Sequence, residues 1–189
     1  TMLPDQAIQK LGLGLQEKSP ALSFLIEINP SGEITCKAIN PSWVSVTRIS
    51  YEHAETLLDQ EPFYSLRKIC LIYRDRRAKN GALFIDLPEV TMHVTEGKVE
   101  IRPLLRLESR MIVREAMLMV GDAAAQFALR ESLPFPFATQ QGPDTSSQFE
   151  YTQSTMEPDR ANFFTLRSKL KRSQVSSQPG RHAGVGLPA

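Results

Sequence analysis

The sequence predicts an α+β fold, with a mixed, largely antiparallel sheet and packed helices. Three observations carry this. Apolar stretches of period two alternate along the chain with stretches of helical spacing. Two pairs of strand-like segments are joined by tight turns, at Asn29-Pro30-Ser31-Gly32 and at Glu96-Gly97, which suits hairpins and not helical crossovers. With 41% hydrophobic and 23% charged residues in 189, the chain can bury a core and is not disordered throughout.

Each element follows in order. Pro4 before and Gly12 after mark a short helix from Asp5 to Leu11. Leu22, Phe24, Ile26 and Ile28 share one face of a strand, and Glu33 to Ile39 returns as its partner. Trp43, Val44 and Val46 extend the β character to Ile49. Ser50 caps a helix from Tyr51 to Leu58. Glu61-Pro62 opens another, with Phe63, Leu66, Ile69, Cys70 and Tyr73 at helical spacing. It closes on Arg74, Arg76, Arg77 and Lys79, cations favoured at a helix C-terminus. Ala82 to Asp86 reads as a strand, and Val90, Met92 and Val94 turn back into Val99 and Ile101 as a second hairpin.

Glu108 to Arg130 is the longest helix, about 34 Å at 1.5 Å per residue. Its middle is apolar and small nearly all round, which predicts burial, with Gly121 admitting a close neighbour. Residues 140–154 turn to Gln, Ser, Thr, Gly and Pro and are expected to form a mobile loop. A last helix is expected from Pro158 to Leu170.

A net charge of +1 excludes a polycation, so any nucleic-acid surface must be local. The apolar runs are too short for a membrane span, and no secretory leader is visible. Cys36 and Cys70 cannot build a disulfide framework and read as reduced core thiols of a cytoplasmic protein. His53, His93 and His182 lie far apart, so no zinc spacing exists, and no Asp cluster has metal-ligand density. No Ser sits in a nucleophile-elbow motif. The ends, Met2-Leu3-Pro4 and Gly184-Val185-Gly186-Leu187-Pro188-Ala189, read like the interior of a longer chain.

Two groups of polar residues stand out. Glu115 lies among Met111, Ile112, Leu118 and Met119 at helical spacing, and a carboxylate in an apolar stripe is costly unless paired. Either it makes a structural ion pair or it lines a polar cleft. From Arg160 to Ala189 there are six Lys or Arg and no acid, including Arg167, Lys169, Lys171, Arg172 and Arg181. Such a stripe is either a solvated face or a track for a phosphate backbone.

Five segments, in order, resemble the ribonuclease II and ribonuclease R (RNB) family of 3′→5′ exoribonucleases. Met2-Leu3-Pro4 is similar to the family's Met-Leu-Pro. Arg48-Ile49-Ser50-Tyr51-Glu52-His53-Ala54 resembles its (K/R)-(L/I)-S-Y-E-x-A helix start. Arg77 with Gly81-Ala82-Leu83 and Asp86-Leu87-Pro88-Glu89 resembles R-x-x-x-G-A-L-x-x-D-x-P-E. Ile112-Val113-Arg114-Glu115-Ala116-Met117 resembles (L/I)-(I/V)-E-E-(A/F)-M, and His182-Ala183-Gly184-Val185-Gly186-Leu187 resembles H-F-G-L-(A/G)-L.

The resemblance implies that residues 1–189 are the central part of an RNB-type catalytic domain. It implies a processive, metal-dependent hydrolase that converts single-stranded RNA to nucleoside 5′-monophosphates. Mg²⁺ would be held by carboxylates outside this chain, and no catalytic residue lies within it. Tyr51, Arg114 and Glu115 would contact the RNA 3′ end, and Phe84, Lys169, Lys171, Arg172, His182 and Gly184 would line the RNA channel. The protein would act as a cytoplasmic monomer without membrane contact. Three positions depart from the family pattern: Arg114 stands for a Glu, Ile85 for an aromatic residue and Gly121 for an Asn. These departures keep a non-catalytic RNA-binding module of the same fold as the alternative. An unrelated small-molecule enzyme built on Glu115 is a third reading.

Overall fold

The fold is taken from a computed structural model that describes residues 3–84, 90–95, 97–142 and 171–188. The chain divides into two compact units. The first comprises Thr1–Arg76 and Leu107–Leu133, the second Arg77–Arg106 and Pro134–Ala189. Helices α1 (Asp5–Leu11), α2 (Tyr51–Thr56), α3 (Phe63–Lys79) and α4 (Glu108–Arg130) are interspersed with strands β1 (Ser19–Ile28), β2 (Ile34–Val44), β3 (Val90–Thr95), β4 (Lys98–Pro103), β5 (Phe137–Thr139) and β6 (Gln174–Ser176). Among the described residues the strands pair antiparallel in three two-stranded ladders, β1–β2, β3–β4 and β5–β6, and an isolated parallel bridge joins Gln140 to His182, in keeping with the mixed, largely antiparallel β structure expected.

In the first unit the β1–β2 hairpin turns where the sequence places Asn-Pro-Ser-Gly. Asn29 Oδ1 accepts from the amides of Ser31 and Glu33 at 3.0 and 2.9 Å. Gly32 adopts φ +84°, and a Cβ there would lie 2.8 Å from Cβ of Arg76 and 2.9 Å from the Ile72 carbonyl. Only glycine meets both demands. The register slips between Leu25 and Ile26, leaving Lys37 as an extra residue on β2. Beyond the slip Ile26 and Ile28 keep the inward face, while Leu22 and Trp43 are exposed. β2 ends at Val44, short of the β character expected to Ile49.

Ser50 caps α2 as expected, its Oγ accepting from the His53 amide at 3.1 Å. The helix stops at Thr56, and Leu58, placed in it by the sequence, is buried beyond its end. At the start of α3 the Glu61 carboxylate takes the Ser65 hydroxyl at 2.8 Å. Helices α3 and α4 run side by side in the same sense, because their paired residues advance together. Arg67 meets Glu108 at 2.9 Å, Cys70 Sγ donates to the Ile112 carbonyl at 3.5 Å, and the Tyr73 hydroxyl donates to Asp122 at 3.2 Å. Cys70 and Tyr73 have no exposed surface. Burying side chains of this kind stabilises by about 1.5–3 kcal/mol each for the larger apolar ones.

α4 spans the predicted residues, but it is not buried all round. Only one stripe is covered, Ser109, Ile112, Glu115, Met119, Ala123 and Ala128, while Met117 is 71% exposed. Small apolar residues satisfy a helix facing neighbours on one side as well as one enclosed by them, so periodicity alone does not separate the cases. No described atom lies within 4 Å of a Cβ built on Gly121, so the expected close approach is absent there.

The amino end of α4 has no cap of its own: Leu107 stands at the N-cap position. Glu55 of α2 replaces it. Its two carboxylate oxygens accept from the Glu108 amide at 3.0 Å and the Ser109 amide at 2.9 Å. These are two of the donors every helix start leaves unpaired. Partial burial pushes the Glu55 carboxyl up, but the hydrogen bonds from Ser109 and Glu108 outweigh it and hold it below the ordinary value.

In the second unit the β3–β4 register puts Val90, Met92 and Val94 across from Pro103, Ile101 and Val99 on one face. Thr91, His93 and Thr95 oppose Arg102, Glu100 and Lys98 on the other. The strand expected at Ala82 to Asp86 is not formed over its described part. Ala82 instead donates to the Arg77 carbonyl at 2.9 Å, closing α3, and Leu83 donates to the Gly184 carbonyl at 3.0 Å. A short 3₁₀ turn at Ala183–Val185 completes the unit. Ile85, Asp86, Lys169, residues 143–154 of the expected loop and the helix expected at 158–170 lie outside the described residues.

The Glu55 cap makes a testable prediction. Glu55→Ala should cost about 1–2 kcal/mol of stability, the usual loss for a helix cap. Because the folded carboxyl is held below its ordinary 4.5, its contribution is complete above that pH and is lost as pH falls through the lowered value. Urea unfolding from about pH 3 to pH 6 should therefore show a shallower acid loss for Glu55→Gln than for the parent chain. Parallel profiles would mean that the amides of Glu108 and Ser109 are satisfied some other way.

Candidate functional site

Tyr51 is the first residue of α2, and the first turn of α4 holds it there. The Ser109 hydroxyl donates to the Tyr51 carbonyl at 3.0 Å, beside the two amides that Glu55 receives. The Arg110 guanidinium carbon lies 4.3 Å from the centroid of the Tyr51 ring, well inside cation–π range. Tyr51 remains 36% exposed. Arg110 and Arg114 are one helical turn apart and share a face of α4.

Glu115 has no exposed surface. Arg114 Nε donates to its carboxylate at 3.4 Å, while the Arg114 side chain is 53% exposed. The pair thus has a buried acid and an outward cation. In this arrangement Glu115 holds Arg114 and does not present its own oxygens to a ligand. Burial, reinforced by the Glu115 charge, pushes the Cys70 thiol up to about 11. Cys70 therefore stays protonated at neutral pH and is no nucleophile.

In the second unit, Lys171, Arg172 and Arg181 converge on a pocket of about 390 Å³. Gln140, Gln141, Gln174, Ser176 and Gln178 supply amide and hydroxyl groups, and among the described residues none that lines it carries a carboxylate side chain. Lys171 Nζ donates to Gln141 at 3.4 Å, and Arg181 to the Asn80 carbonyl at 3.3 Å. The wall can therefore receive an anion through cations and neutral donors together.

His182 and Gly184 border this pocket through Gln140. The Gln140 side chain accepts from the Gly184 amide at 2.9 Å and donates to the Lys171 carbonyl at 2.6 Å. A Cβ on Gly184 would collide with that amide. Gly186 has φ +67°, and a Cβ there would strike the Arg77 carbonyl. Arg77 is itself buried and donates to the Val185 carbonyl at 2.8 Å. Its guanidinium lies 5.4 Å from the centroid of the Phe84 ring. Burial holds the His182 imidazole below its ordinary range against a weaker opposing backbone hydrogen bond. His182 is thus neutral near pH 7 and offers hydrogen bonding, not charge.

The residues singled out by sequence accordingly fall into two clusters. Tyr51, Arg114 and Glu115 lie on α2 and α4 of the first unit. Phe84, Lys171, Arg172, His182 and Gly184 belong to the second. Lys169 lies outside the described residues. Sequence reasoning missed Glu55, Arg110, Gln140 and the docking role of Arg77. The first and third have no local signal, whereas Arg110 stands in a recognisable first helical turn, one turn before Arg114. Among the described residues no group of three or more His, Cys, Asp or Glu could hold a metal ion, so these side chains do not fit a Mg²⁺ site. No described helix is long and apolar enough to cross a membrane.

Comparisons with known proteins bear on this arrangement. The family model described as RNB domain matches residues 1–189. An uncharacterized ribonuclease of Synechocystis sp. is 30% identical over 191 residues, covering 97% of this chain and 28% of that protein. RNase R of Mycoplasma genitalium, solved with ribose-methylated single-stranded RNA, superposes with a TM-score of 0.73 at 15% identity, over 98% of this chain and 36% of that one. Its complex with double-stranded RNA gives 0.77 at 16% identity, over 98% and 40%. An active-site mutant of the Dss1 exoribonuclease from Candida glabrata gives 0.76 at 15% identity, over 99% and 29%. At such identities the structural likeness is one of fold, and the chain spans well under half the length of these relatives. Matched by the family model from its first residue to its last, the chain belongs to the RNB domain family.

Proposed function

We propose that this chain is part of a 3′→5′ exoribonuclease that processively hydrolyses single-stranded RNA to nucleoside 5′-monophosphates, and that it supplies surface that receives the RNA. The RNB match over all 189 residues carries this reading. The basic pocket of the second unit supports it, because clustered cations such as Lys171, Arg172 and Arg181 suit a phosphodiester backbone. Tyr51 stacks a base near the 3′ end, which tolerates any sequence because every base has a π-face. Arg114, steadied by Glu115, donates to the terminal ribose, where the 2′-hydroxyl accepts. Lys171, Arg172 and Arg181 hold phosphates of the RNA backbone, with Gln140 fixing the turn that carries His182 and Gly184. Phe84, backed by Arg77, adds an aromatic surface to the channel. The cofactor would be Mg²⁺, with its ligands outside this chain. The unbridged buried thiols of Cys36 and Cys70 fit a cytoplasmic protein, which we take to act as a monomer.

A second reading is favoured by one observation. Arg114 stands where the family motif carries Glu, which fits a non-catalytic RNA-binding module of the same fold. The two readings part in a single assay. The complete protein, with Mg²⁺ and 5′-labelled single-stranded RNA, should give strands shortened stepwise from the 3′ end together with nucleoside 5′-monophosphates. Binding without shortening would establish the module, and internal cuts would defeat both readings.

Two variants probe the clusters separately. Arg114→Ala should reduce discrimination between RNA and DNA 3′ ends by about tenfold, the weight of one charge-assisted hydrogen bond. Equal loss on both substrates, with altered circular dichroism, would make the residue structural. Reversing Lys171, Arg172 and Arg181 to Glu should weaken RNA binding and lower the slope of log affinity against log salt by about 2, at about 0.7 per phosphate. An unchanged slope would make the pocket a solvated surface.

A further inference from the structure

We propose that Arg110 is a positioning residue for the RNA 3′ end: it backs the Tyr51 ring and carries one phosphate of the strand. The proposal rests on the reading of Tyr51 as the stacking residue. Two independent observations motivate it. The first is the guanidinium carbon 4.3 Å from the Tyr51 ring centroid, which occupies one face of the ring. A flat cation there restricts the rotation of the ring. The opposite face is left for a base, and the 36% exposure of Tyr51 is consistent with that.

The second is a missing partner. Arg110 Nε is buried and has no hydrogen-bond partner among the described residues. Buried donors of this kind are nearly always satisfied. Among the described residues Arg110 also makes no ion pair. Glu52, next to Tyr51, senses its charge, but the carboxylate of Glu52 is engaged chiefly by its own backbone amide and by Ser50. Arg110 as a whole is only half-buried and forms no side-chain hydrogen bond among the described residues, so its guanidinium keeps donor capacity for a ligand. An acceptor in reach of a residue stacked on Tyr51, and one turn from Arg114, would be a phosphate or ribose oxygen of a strand whose base lies on that ring. A phosphate suits it better, since guanidinium and phosphate match in charge and geometry.

The test uses the complete protein in EDTA, so that binding is read without hydrolysis, and a short labelled oligoadenylate with a free 3′-hydroxyl. Arg110→Gln should raise Kd about threefold to tenfold and lower the salt slope by about 0.7, the loss of one phosphate contact on a single strand. Arg110→Lys should keep the parent slope, because the charge remains, while recovering only part of the affinity, because the planar stack does not. A purely structural role would leave the slope unchanged in both variants. Tyr51→Ala separates the two levels of inference. Should it weaken binding while Arg110→Gln changes neither Kd nor slope, the Arg110 assignment fails and the stacking role of Tyr51 stands. Should Tyr51→Ala itself leave binding unchanged, the underlying reading fails and the proposal with it.

Discussion

The carboxylate of Glu55 on the first amides of α4 is the contact on which the first unit depends. A helix of 23 residues whose N-cap position holds leucine has no side chain of its own to close its amino end. Glu55 brings two oxygens to two such donors and adds a negative charge where the helix dipole favours one. Ser109 then ties the same turn to the Tyr51 carbonyl, and Glu108 pairs with Arg67 of α3. Three helices thus meet within one turn of α4. The placement of every later residue on its buried stripe, Glu115 included, follows from where that turn is held.

Glu115 shows how a buried acid and an exposed cation coexist on one helix. The carboxylate is inside, beside Cys70, and its charge is answered by Arg114 at the surface. Removing a buried charge from its partner costs more than the pair contributes, so the acid keeps the outward cation oriented. What α4 offers at this surface is therefore a donor, Arg114, while the acid stays inside.

The second unit makes a parallel point about motifs. The Arg77 and Gly81-Ala82-Leu83 segment and the His182 to Leu187 segment lie a hundred residues apart in the chain, yet each holds the other. Arg77 donates to Val185, Leu83 to Gly184, and Gly186 admits the Arg77 carbonyl where any side chain would collide with it. Part of what looks like a binding motif is thus packing. The adjoining wall carries Lys171, Arg172 and Arg181.

Local chemistry along the chain determined the elements. Ser50 as a cap and Asn29 with Gly32 as a turn follow from interactions between residues within a few positions of each other, and the span of α4 from its apolar spacing, all of which a sequence displays directly. The same nearness made Glu115 conspicuous as an acid in an apolar stripe. The tertiary structure alone decided which faces are covered and who partners whom. It buried one stripe of α4 and left the rest half-buried or exposed, turned Ala82 to Phe84 from a strand into a dock for Gly184, and set Glu55 on amides 53 and 54 residues away. It also laid Arg110 on Tyr51, 59 positions earlier in the chain. The physical reason is that periodicity records how apolar a face is but not what meets it, and a hydrogen bond between distant segments leaves no spacing to read.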